Sequence, residues 1–282
     1  MLYLKSLFIH FLFTFGLSTS WHIMAGLTGQ YSFGHGLFFG VSAYLSMFLF
    51  NTFPYYFLGG LPFVLVLTGS IGASIAYLSF RFKVEHAYFT LLTLVCLECF
   101  RMIFENLTVF NGMSGFFLIT SDFSETISSY FLYILLFFVF AIFGFTFKLF
   151  KSDIALKSIC LKDSVNAALS IGIHPIRHPT MLMFLSAFFI SCLGALSIFY
   201  KKQLFPDQVF SMQQSMYMVL PALIGGVGKV SAPLIGSVIW VVLNELIDHL
   251  LDYFDVSIGP IKHIIFGFII LLIVNKKNKV PN

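Results

Sequence analysis

Long apolar runs, broken by a few polar residues or glycines, dominate this chain. A helix crossing a bilayer needs about 20 mainly apolar residues. On that length the pattern predicts spans at roughly 5–25, 33–50, 61–80, 87–105, 129–148, 179–199, 213–227, 231–250 and 260–274. The span near 213–227 is short and ends in Gly225-Gly226-Val227-Gly228, which marks it as discontinuous. The expected fold is all-α and polytopic, with eight to ten crossings. One stretch interrupts the pattern early. Gly26 to Gly40 places five glycines between the apolar runs Leu7–Met24 and Val41–Phe50. Glycine gives up the most backbone entropy on ordering, so the helix should break within 26–40. Broken backbone at membrane depth is tolerated only where it packs against protein or lines a wet cavity. That makes the stretch the first candidate for a functional site.

Composition agrees with the pattern. The 282 residues are 59% hydrophobic and 10% charged, with a mean hydropathy of +0.94. A soluble domain carries about 25% charged residues. The formal charge of +4 is small, and no soluble basic face is present for a nucleic-acid partner. A cleaved leader at the N-terminus is the weaker reading of residues 1–25, because the apolar character continues beyond any cleavage point. Cys96-Leu97-Glu98-Cys99 has redox spacing but falls inside a predicted span, so these thiols read as small apolar helix residues.

Lys and Arg orient the spans. Lys148, Lys151, Lys157, Lys162 and Arg177 crowd the loop between the fifth and sixth spans, Arg81 and Lys83 occupy another loop, and Lys276, Lys277 and Lys279 lie in the tail. All three regions are expected on the cytoplasmic side, with the C-terminus. The loops 106–128 and 250–258 are acidic and expected outside; Lys201-Lys202 dissents, falling outside by this count. Within the segment 151–178, Ser158 to Ile171 reads as one amphipathic helix, with Ile159, Val165, Ala168, Leu169 and Ile171 as its apolar members, ended by Gly172 and Pro175. Such a helix would dock a partner or lie on the membrane surface.

Candidate chemistry is sparse. His35 sits in the glycine stretch, where a polar helix–helix contact explains it as readily as a solute contact. Gly36 and Gly40 form a GxxxG pair suited to close helix approach. Glu98 and Arg101 are three apart and share a helix face, as a self-neutralising pair or part of a pathway. His174 and His178 have Pro175 between them and no Cys or carboxylate close by, so no metal site is expected. His22, His86, His249 and His263 fall near span ends, which suits interfacial placement. Gly225-Gly226-Val227-Gly228-Lys229 fails the phosphate-loop pattern, with Leu223 and Val230 in place of its Gly and its Ser or Thr. No nucleophile–base set is visible, so no enzyme is expected.

Four blocks in order then carry a family likeness. They are Gly29-Gln30-Tyr31-Ser32-Phe33-Gly34-His35 with Gly40-Val41-Ser42-Ala43-Tyr44; Tyr88 to Leu94 with Glu98, Arg101 and Asn111-Gly112-Met113-Ser114-Gly115; Asp163 to Ile173; and Pro206-Asp207 with Ile224 to Gly228 and Ala232 to Gly236. In these the chain resembles the permease subunits of ABC importers for branched-chain amino acids, the LivM type, over residues 26 to 250. The resemblance implies a single transmembrane permease domain, 1–282, with a cytoplasmic coupling segment at 151–178. It implies ATPase coupling through Lys162, Asp163, Ala167, Ala168 and Gly172. It implies a path or its packing at Gly29, Ser32, Gly34, His35, Glu98, Arg101, Gly225 and Gly226. It also implies an inner-membrane location, a second related permease subunit, two cytoplasmic ATPase subunits, an extracytoplasmic binding protein and the lipid bilayer as partners. No cofactor is expected in this chain, ATP being used by the partner subunits. The family's coupling segment carries an Arg and a Glu where Lys162 and Val165 stand here, and Pro221 is an unexpected helix breaker. Relatives for urea or amides and for nucleosides leave the solute open. A stand-alone secondary transporter also suits broken helices, but would leave the 151–178 segment without a role.

Overall fold

The structure is a computed structural model and describes residues 2–119 and 122–253. Eleven helices make up the described chain: α1 Leu2–Thr28, α2 His35–Thr52, α3 Phe57–Arg81, α4 His86–Asn106, α5 Asp122–Phe150, α6 Asp153–Asp163, α7 Val165–Ser170, α8 Arg177–Lys201, α9 Pro206–Val209, α10 Met212–Gly225 and α11 Ala232–Tyr253. A two-residue antiparallel pair, β1 Phe116–Phe117 with β2 Gln203–Leu204, closes one end. Eight of the nine predicted spans coincide with helices. The ninth, 260–274, lies outside the described residues, as do the basic tail and His263. The stretch 250–258, expected as a loop, is helical as far as Tyr253. Among the described residues, five helical stretches are long and apolar enough to cross a membrane: Tyr3–Thr28, Pro54–Arg81, His86–Asn106, Tyr130–Phe150 and Arg177–Lys201.

The buried centre is α1, α2 and α8. Helix α8 runs antiparallel to α1, as Gly16 meets Leu193 and Phe13 meets Tyr200. It runs parallel to α2, where the pairs are His35 with Ser186 and Phe50 with Phe199. Helices α3, α4 and α5 pack outside this centre and turn large apolar side chains outward, among them Phe63, Leu91 and Phe137. That outward face is what a lipid-facing helix needs. Alternation of direction gathers Arg81, Lys83, Lys148, Lys151, Lys157, Lys162, Arg177 and Lys229 at one end of the bundle, here called the basic end. The other end carries β1, β2 and an aromatic cluster in which Tyr44 meets Phe104, Phe110, Phe116 and Phe210. There the Tyr44 hydroxyl donates to the Leu204 carbonyl at 3.1 Å.

Close approach explains the glycines. A Cβ on Gly34 would lie 2.0 Å from the Thr93 carbonyl of α4. One on Gly40 would meet the Phe210 ring at 2.4 Å, and one on Gly36 the Ser215 hydroxyl at 2.8 Å. The GxxxG pair therefore admits α9 and α10 against α2. At the basic end α10 and α11 form a hairpin so tight that a Cβ on Gly236 would fall 1.6 Å from the Pro221 carbonyl. Pro221 does not break its helix, contrary to the sequence expectation; α10 continues for another turn to Gly225. At 14 residues α10 is a half-length element. It starts beside Gly40 and ends at the basic end.

Gly34→Ala should destabilise the fold by about 1–3 kcal/mol, as overpacking against a fixed backbone does. Gly59→Ala, with nothing within 4 Å of its Cβ, should be neutral. Thermal unfolding of the two purified variants in detergent measures the difference, and equal melting temperatures would contradict the packing.

Candidate functional site

The predicted break falls at residues 29–34, between α1 and α2. Helix α1 stops because Gly29 takes φ +72, a conformation glycine adopts without a Cβ penalty. The chain then folds back inward. Trp21 Nε1 donates to the Ser32 carbonyl at 2.7 Å, so Ser32 lies about two turns, roughly 11 Å, in from the end of α1. Other side chains pair with further backbone groups of the linker. The Thr90 hydroxyl donates to the Tyr31 carbonyl at 2.7 Å, and the Gln30 N–H donates to the Thr28 hydroxyl at 3.2 Å. The Gln30 side chain reaches the His86 ring at 3.2 Å. The Trp21 and Tyr31 rings stack with centroids 6.1 Å apart.

His35 opens α2 and is fully buried. Its Nδ1 lies 2.8 Å from the Ser32 hydroxyl and its Nε2 lies 2.9 Å from the Ser186 hydroxyl of α8. Ser186 spends its own proton on the Ser20 carbonyl of α1 at 2.8 Å. It can therefore only accept from His35, which places the imidazole proton on Nε2. The bare Nδ1 then accepts from Ser32, whose oxygen in turn accepts from the Gly34 N–H at 3.3 Å. One direction of donation runs through the whole bridge, and it ties α1, α2, α8 and the linker together. Both ring nitrogens are occupied, so His35 holds helices rather than facing a cavity. Ser215 of α10 joins from the other side by accepting the Gly36 N–H at 3.0 Å.

The segment 151–178 departs from its predicted shape. It is two helices, not one. The chain turns extended at Ser164, whose hydroxyl accepts from the Ala167 N–H at 3.3 Å and caps α7. The single helix expected over 158–171 runs through this stop. The predicted apolar members are mostly exposed. Only Ala168 among them is buried, in a small cluster with Leu161 and Ile173, whereas Ile159, Val165, Leu169 and Ile171 are exposed, Ile171 by 69%. Gly172, at φ +78, ends α7 as expected, with the Ile173 N–H returning to the Ala168 carbonyl. Asp163 and Ala167 are exposed on this elbow. Lys162 lays its aliphatic stem over Gly29, where a Cβ would meet the Lys162 Cε at 3.0 Å. The predicted coupling residues and the predicted break thus touch.

The remaining candidates scatter. Arg101 pairs with Glu98 at 2.7 Å and also with Glu105 at 2.6 Å, leaving the triad with a net negative charge. Glu105 stands one turn beyond Arg101 and was legible at that spacing, but was not singled out. Gly225 allows the α10–α11 crossing, its Cβ position 1.9 Å from the Ala232 carbonyl. Gly226, at φ +94, forms the exposed turn after it. His22 is fully buried rather than interfacial, stacked on Phe150 at 5.3 Å. The backbone of His249 lies in α11, and His86 is exposed at the start of α4.

A bridge this directional is testable by a double-mutant cycle. Ser186→Ala should cost about 1–3 kcal/mol by leaving the His35 Nε2–H unsatisfied. Ser186→Ala with His35→Leu should cost less than the sum by about 1 kcal/mol. Strict additivity in unfolding measurements would remove the bridge.

A family model described as the permease component of branched-chain amino acid transport systems matches residues 4–274. No curated protein and no solved structure matches the chain.

Proposed function

The chain belongs to the family of permease components of branched-chain amino acid transport systems, and from that premise we propose that it forms the translocation pathway of an ABC importer for branched-chain amino acids. It sits in the inner membrane as one permease unit over 1–282, with the basic end and the C-terminus in the cytoplasm. A second related permease subunit pairs with it. Two ATPase subunits hydrolyse ATP, an extracytoplasmic binding protein delivers the solute, and this chain catalyses no chemistry.

The observation that carries the reading is the α6–α7 elbow. It stands at the basic end, exposes Val165, Leu169 and Ile171, and packs on α1, α5 and α8 through α6. Among the described residues nothing covers these apolar side chains, and they fit the hydrophobic groove of an ATPase. Motion of the elbow reaches the pathway by contact: the Lys162 stem presses on Gly29, and the linker beyond it leads into the bridge at His35. Closure of the ATPase pair on ATP then shifts α1 and α2 against α8. Gly172 lets the elbow turn without a Cβ penalty, and Asp163, Ala167 and Ala168 shape its surface.

Glu98, Arg101 and Glu105 support the second permease. They are partly exposed on a helix otherwise apolar enough to span the membrane. A charged side chain facing hydrocarbon costs at least about 2.5–3.5 kcal/mol. This face therefore turns to the partner permease or to water in the path. Asp207 and Gln208 of α9 extend it, lining a 190 Å³ cavity together with Glu105.

Uptake in proteoliposomes holding the whole transporter is the direct test. Labelled L-leucine should enter only with ATP and binding protein, and excess urea or a nucleoside should not compete. ATP-independent uptake would favour the stand-alone carrier. In the same assay, Ile171→Asp and Gly172→Trp should each lower uptake by about tenfold or more, with normal insertion, by removing apolar burial and the positive-φ turn. Unchanged uptake in both would remove the elbow from the coupling path.

A further inference from the structure

The dissenting cation of the sequence, Lys201, is the starting point. It is the last residue of α8, at the end opposite the basic one. A lysine at a span end ordinarily extends outward to water and headgroups. Lys202 does so from a left-handed cap at φ +58. Lys201 does the reverse. Its ammonium turns back along the helix to lie 5.3 Å from the centroid of the buried Phe39 ring on α2.

There it lines a partly open 200 Å³ cavity between α1, α2, α8 and α10, the lysine itself remaining exposed. The polar lining includes Thr14, Ser197, Gln214 and Tyr217, while Phe13 and Leu17 supply an apolar wall. No Asp or Glu lines this cavity, and among the described residues Lys201 has no carboxylate within ion-pair distance. A cation aimed inward, with a ring on one side and hydroxyl and amide groups around it, is a recognition site for an anion rather than a structural ion pair. An adjoining cavity of 280 Å³ shares His10, Tyr200 and Tyr217 with the first. It presents the opposite charge, through Asp248 and through Glu245, which accepts from the Tyr3 hydroxyl.

We infer that the cavity at Lys201 is a solute-binding site that takes the carboxylate of a small apolar amino acid. Lys201 holds the carboxylate, Phe13 and Leu17 receive the side chain, and the acidic chamber draws the ammonium end toward α11. The inference rests on the proposed function for the class of solute alone. It places recognition on the half of the molecule away from the elbow, where Phe39 is the one lining residue that belongs to the glycine stretch.

The test needs neither ATP nor partner subunits. Gln214→Cys, in the full chain in phosphatidylcholine nanodiscs, puts a thiol in the cavity, and its alkylation by N-ethylmaleimide is compared with that of the parent chain. L-leucine and isovalerate, which both carry the carboxylate, should slow alkylation by about tenfold near ten times their dissociation constant. Isovaleramide, of the same shape but neutral, should not. Adding Lys201→Gln should abolish the protection, and Lys201→Arg should keep it. Protection by isovaleramide, protection that survives Lys201→Gln, or no protection at all would each overturn the inference. Equal protection by inorganic phosphate would overturn it too, by making the site a general anion or lipid-headgroup site. Carboxylate protection without leucine uptake by the assembled transporter would leave the site standing and count against the transported solute.

Discussion

The backbone of residues 29–34 runs irregularly inside the protein at membrane depth, where no bulk water can hydrogen-bond it. An unsatisfied peptide group there costs several kcal/mol. Side chains from two helices and from the linker itself meet four of these needs: Trp21 on α1 for the Ser32 carbonyl, Thr90 on α4 for the Tyr31 carbonyl, Thr28 of α1 and Ser32 for the N–H groups of Gln30 and Gly34. The bonds from Trp21, Thr28 and Thr90 fix α1 and α4 against the linker. The position of α2 follows, and with it the bridge from His35 through Ser186 to Ser20.

Small residues make that geometry possible. Without hydrophobic drive between helices in lipid, association depends on close packing and interhelical hydrogen bonds. Gly34 against Thr93 and Gly194 against Phe39 bring backbones within reach of short hydroxyl side chains. The same closeness links the elbow to the interior. Lys162 rests on Gly29, so the exposed elbow and the linker are in direct contact. At the far end Lys201 turns into its cavity beside α10, whose Ser215 holds the Gly36 N–H. The half-length α10 is thus shared by the helix bridge and the Lys201 cavity.

Much of this was legible in the order of residues. Membrane character, the position of eight helices, the break after Gly26 and the end of α7 at Gly172 are local matters of apolar run length and of glycine's freedom at positive φ, and sequence reports local physics well. The misses share a different cause. Ser164 reads as one polar helix position until its hydroxyl is seen to cap α7. Pro221 reads as a breaker, but the tight α10–α11 hairpin carries the helix past it.

The sequence by itself determined the class of molecule, the family and the places where the helices stop, because those depend on composition, motif order and backbone preference along the chain. Only the tertiary structure decided the work of single side chains. Ser186 lies 151 residues from His35, and no spacing rule joins them. Lys201 looked like a topological exception and proved to be a cation folded back over the Phe39 ring. The bonding and burial of a side chain depend on neighbours that folding, rather than chain order, brings to it.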